Sequence, residues 1–109
     1  MRPPKGPLSR INARNVESVQ AEIAQEKAAS LARISTRLQD ALGRLEAHDA
    51  GPATDAAARE RLVAAAGEAL WYYVIQREAC GLRNVEAVLR DFRVPREVYL
   101  RMGPAPRGP

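Results

Sequence analysis

The chain has 109 residues, 46% of them apolar and 28% charged, with a formal net charge of +4; this describes one globular domain and argues against wholesale disorder. A single cysteine, Cys80, excludes an internal disulfide and points to a reducing compartment. The longest unbroken apolar run, Ala69 to Ile75, is far short of the roughly 20 residues that span a bilayer, and the first ten residues lack the apolar core of a secretory signal, so the expected location is cytoplasmic with no membrane partner.

The charge is unevenly placed. Arg2, Lys5, Arg10 and Arg14 face no acid in residues 1–14. Residues 15–50 are net acidic, and the excess of base returns after residue 80, where six arginines outnumber Glu86, Asp91 and Glu97. Such a balance attracts anions weakly and is modest beside a dedicated nucleic-acid binder.

Alanine and long straight side chains dominate, which favours helix. Residues 1–11, with Pro3, Pro4, Gly6 and Pro7, read as a basic disordered tail, and residues 104–109 as a second one. Between them a helical domain is expected over 12–103. The first helix, about 13–48, starts from Asn12 or Asn15 as N-cap with Glu17 in its first turn. Its apolar positions Val16, Val19, Ile23, Leu31, Ile34, Leu38, Leu42 and Leu45 recur with the α-helical period. Gly51-Pro52 breaks it, and Thr54 caps a second helix, about 55–80, which is apolar almost all round near Leu70 to Ile75. Gly81-Leu82 spells a Schellman stop. Asn84 caps a short third helix, 85–92, and Pro95 opens a fourth, 95–102. Strand signals and internal repeats are lacking. The fold class is all-α: a long antiparallel helical hairpin plus two short C-terminal helices.

A hairpin folded near Ala50-Gly51 sets residue i against roughly 101 minus i. Trp71 to Tyr73 then face Ala28 to Ser30, and Arg77 comes within reach of Glu22 or Glu26 as an inter-helix ion pair. A first helix of about 50 Å does not fit a globule whose radius of gyration is about 13 Å. The apolar belt of Leu70, Trp71, Tyr73 and Val74 therefore reads as core or interface, completed by a second copy in a two-fold four-helix bundle.

Site chemistry is sparse. His48 is the only histidine, so a zinc site lacks partners. Phosphate-binding glycine loops, a nucleophile elbow and paired cysteines are absent from the sequence. Cys80 falls at a helix C-terminus, where the dipole disfavours a thiolate, and reads as a structural thiol. Glu22 and Glu26 lie one turn apart without the Glu-x-x-His partners of a di-iron bundle. No catalytic, cofactor or metal residues are expected. The segment 84–102 reads helix–turn–helix, with Arg93, Arg96 and Arg101 as candidate phosphate contacts. Yet Arg93 occupies the usual turn glycine, and the last helix holds no Asn, Gln, Ser or Thr to read bases.

The segments Glu26 to Leu31, Trp71-Tyr72-Tyr73-Val74-Ile75-Gln76-Arg77-Glu78-Ala79-Cys80-Gly81-Leu82-Arg83, and Val94 to Glu97 through Met102-Gly103 resemble an uncharacterised family of small alphaproteobacterial helical proteins. The second segment is the distinctive one, and the resemblance spans most of residues 15–103. It implies a bacterial origin and a helical fold, and brings no activity, substrate or functional residue with it. The leading expectation is a non-catalytic homodimeric scaffold, binding itself and another protein. The alternative is a DNA-associated regulator using residues 84–102.

Overall fold

A computed structural model describes residues 7–52 and 54–104. Among these, four α-helices and no strand occur: α1 (Pro7–Ala50), α2 (Ala56–Ala79), α3 (Val85–Asp91) and α4 (Arg96–Leu100). Helix α1 begins earlier than its asparagines suggest. Pro7 suits a first helical position, because its fixed φ is helical and its missing N–H would be unpaired there anyway. Residues 7–11, expected in the tail, are therefore helix, while the tails at 1–6 and 105–109 lie outside the described residues. The other bounds shift by one or two residues. Asp55, not Thr54, caps α2, accepting hydrogen bonds from the Ala57 and Ala58 amides at 3.0 and 3.1 Å. Pro95 is the N-cap of α4 rather than its first residue.

The chain forms two compact units, Met1–Ser30 and Leu31–Pro109. In the first, every residue from Asn15 to Ala29 is exposed. In the second, the rest of α1 packs antiparallel on α2. Arg37 meets Glu68 and Tyr72, and Asp49 meets Arg59. Paired residue numbers thus add to between 105 and 109, not 101. The reason is the turn: α1 runs to Ala50 and α2 starts only at Ala56, so the fold-back is centred two to three residues later than Ala50-Gly51. Tyr72 consequently lies beside the α1 turn that carries Arg37.

The core comprises Leu38 and Leu45 of α1, Val63, Ala66, Ala69, Leu70, Tyr73 and Val74 of α2, Val88 of α3 and Val98 of α4. Leu38, Leu70 and Val98 are fully buried, each contributing about 1.5–3 kcal/mol of hydrophobic stabilisation. Helix α2 ends in the Schellman pattern expected at Gly81 (φ 84°): the Leu82 amide donates to the Arg77 carbonyl and that of Gly81 to Glu78. Asn84 caps α3 through the Ala87 amide. The same Schellman pattern closes α3, with the Val94 amide donating to Leu89 and that of Arg93 to Arg90, so Arg93 takes the left-handed position at φ 52°. Helix α4 then lies on α2 at Gly67. A Cβ there would sit 2.5 Å from the Arg101 carbonyl oxygen, and the Gly103 amide donates to the Gly67 carbonyl. Only a residue without a side chain lets the two backbones come this close.

Candidate interaction surface

A groove of about 830 Å³ opens between α1 and α2 within the second unit. Its floor is small and apolar: Ala41 on one side, and Ala64, Ala65 and Ala69 on the other. The floor is small because α2 places alanines at 64, 65 and 69 along this side, leaving room beside the α1 backbone. The rim is charged and on balance basic, with Arg33, Arg37, Arg44, Arg61 and Arg101 against Asp40, Glu60 and Glu68. Arg37 bonds Glu68 at 3.1 Å and stacks over the Tyr72 ring at 5.0 Å. Arg101 bonds Glu60 at 2.7 Å. Arg33, Arg44 and Arg61 have no ion-pair partner among the described residues.

The second charged feature is a clamp on Arg59. Its guanidinium donates to both carboxylate oxygens of Asp49, at 2.8 and 3.1 Å, and to Glu97 at 2.9 Å. One side chain near the start of α2 thereby ties the end of α1 to the first turn of α4. These hydrogen bonds hold the Asp49 and Glu97 carboxyls below their ordinary range and raise Arg59 above its own. Beside the clamp, His48 points Nδ1 at Asp49 over 3.4 Å, while its buried Nε2 has no partner among the described residues.

Of the expected belt, Leu70, Tyr73 and Val74 are buried, Tyr73 edge-on to Phe92 at 5.1 Å, and Trp71 is half-buried with its ring 5.1 Å from Tyr72. α1, α3 and α4 of the same chain supply that cover. Arg77 lies over the Tyr73 ring at 5.8 Å, one turn away on its own helix. Glu22 and Glu26 stand exposed on α1. Arg93 and Arg96 are exposed, whereas Arg101 is engaged by Glu60. Cys80 is a free, half-buried thiol at the α2 C-cap. Among the described residues no group of three acidic, histidine or cysteine side chains could hold a metal, and no helix is long and apolar enough to cross a membrane.

Sequence reasoning missed the clamp, the groove and Gly67. Gly67 had a readable signal, since a lone glycine inside a helical pattern asks for a close backbone approach. The Arg59 clamp had none, because its acids are ten and thirty-eight positions away.

The most exposed apolar stripe lies on α1: Val16, Val19 and Ile23 are 55%, 52% and 47% exposed. Their spacing places them along one side of the helix. No curated protein and no solved structure matches the chain. A family model covers residues 8–109, nearly the whole chain, and on that match the protein belongs to the family of unknown function DUF6665.

Proposed function

We propose that this protein is a non-catalytic helical interaction module that acts as a homodimer. The observation that supports this reading is the exposed stripe Val16, Val19 and Ile23 on a stretch of α1 whose every residue from Asn15 to Ala29 faces solvent. A soluble monomer gains nothing from three aligned branched apolar side chains in water, and such a stripe on a helix is the usual mark of a partner helix. The lone Cys80 fits a reducing compartment, and the cytoplasm is the location we assign. The test is the solution mass by light scattering over a dilution series. A mass of twice the chain that falls on dilution supports the dimer, and a chain mass at every concentration refutes it.

The DNA-associated alternative has less support. Helix α4 is five residues long, its Val98 is buried, and its own Glu97 and the following Arg101 are taken up by Arg59 and Glu60. Salt-sensitive retention of a DNA duplex would revive it.

A further inference from the structure

The segment that carries the exposed stripe and the alanine-floored groove have opposite charges and similar lengths. Residues 15–30 hold Glu17, Glu22 and Glu26 against Lys27 alone, which makes the segment acidic. The groove rim has five arginines and three acids, which makes it basic. The lengths also agree. The groove follows α1 from Arg33 to Arg44, about 16 Å of helix, and Val16 to Glu26 covers about 15 Å.

We infer that the groove receives residues 15–30 of a second copy, and that the exchange is reciprocal: two α1 helices pair antiparallel about a two-fold axis near Ser30. This deepens the homodimer reading and rests on it. Positions 19, 22, 23, 26 and 30 recur at helical spacing and share one side of their stretch of α1, and positions 33, 37, 40, 41 and 44, which border the groove, do the same within theirs. Antiparallel pairing about Ser30 sets Glu26 beside the partner's Arg33 and Glu22 beside the partner's Arg37. Val19 and Ile23 then descend towards the partner's alanine floor. At the axis itself stands Ser30, a small residue that lets two helices approach closely. The arrangement covers the stripe and fills the groove with one operation, and symmetry makes it twice.

Charge exchange in the full-length chain tests it. One variant reverses the acidic side, Glu22→Arg with Glu26→Arg. The other reverses the rim, Arg33→Glu with Arg37→Glu. All four side chains are exposed, and the Arg37–Glu68 pair is a surface contact on which the fold of one chain depends little. Circular dichroism checks the helix content of each, and the single exchange Glu26→Arg against Arg33→Glu replaces the double one should Arg37→Glu disturb it. Light scattering should show each variant alone dimerising at least about tenfold more weakly than wild type, because like charges then meet at every pair. Their equimolar mixture should recover a dimer within about threefold of wild type, since each reversed segment then meets an oppositely charged one. Two folded variants that stay monomeric when mixed overturn the reciprocal docking. Variants that each remain as dimeric as wild type overturn it too, and leave the homodimer itself standing. A wild-type chain that is monomeric throughout the dilution series overturns both.

Discussion

Replacing Gly67 by alanine pits two known effects against each other at one atom. In an open helix position, glycine to alanine stabilises by about 0.8–1 kcal/mol, because alanine has less backbone freedom to lose. At Gly67 the added Cβ meets Arg101 at three atoms: its carbonyl oxygen at 2.5 Å, its carbonyl carbon at 2.8 Å and its Cβ at 3.2 Å. All belong to backbone or to the first side-chain carbon, so no flexible tip can swing aside. The segment after α4 must retreat by most of an ångström. In doing so it loosens Val98, which is fully buried, and the hydrogen bond from Gly103 to Gly67. Forced repacking of this kind costs about 1–3 kcal/mol, and the loosened contacts place the cost at its upper end. The net expectation is a destabilisation of about 1–2 kcal/mol, or a fall in Tm of about 4–16 °C for a domain of this size. Thermal unfolding followed by circular dichroism reads it, with Gly43→Ala as the control. A Cβ at Gly43 meets nothing within 4 Å, so that variant should gain about 0.5–1 kcal/mol. A Gly67→Ala protein that melts higher than wild type, as the control should, would refute the close packing of α4 on α2.

Arg93→Gly should raise stability by about 0.5–1 kcal/mol in chemical denaturation, because Arg93 holds a left-handed conformation that costs a residue with a Cβ more than glycine. Asp55→Ala should lower it by about 1 kcal/mol, leaving the Ala57 and Ala58 amides without their acceptor. The clamp gives a pH signature. The Arg59 hydrogen bonds hold Asp49 and Glu97 below the ordinary carboxylate range in the folded chain, so the stability they contribute is present above that range and is lost as pH falls through the lower folded values. Arg59→Ala should therefore lower Tm at pH 7, and the difference from wild type should shrink by pH 3. A constant difference across that range would dismiss the ionic contribution.

What the sequence disclosed was whatever repeats locally. The helical period, the glycine stop at Gly81 and the Asn84 cap depend on neighbours within a turn or two, and each stands where the pattern placed it. Pairing between elements was harder to read. The hairpin register turned on whether the loop was centred on Gly51 or two to three residues later, and one such slip moved Trp71 to Tyr73 by a full turn or more along α1. The belt of Leu70, Tyr73 and Val74 reads in the sequence as needing cover on several sides, and Val88 of α3 and Val98 of α4 share its core cluster within the same chain. Arg59 illustrates the remaining gap. A lone arginine among several looks like solvated surface until folding brings acids from two other helices around it.

The solvent-facing stretch of α1 has a further consequence for dynamics. A helical segment without tertiary neighbours has only its own propensities to hold it, and short helices in water are marginal on those terms. Between Asn15 and Ala29 the amide protons of an unengaged chain should therefore exchange with solvent far faster than those around Leu38 or Leu70. Slow exchange in this stretch would then measure directly what fraction of the molecules has something bound along it.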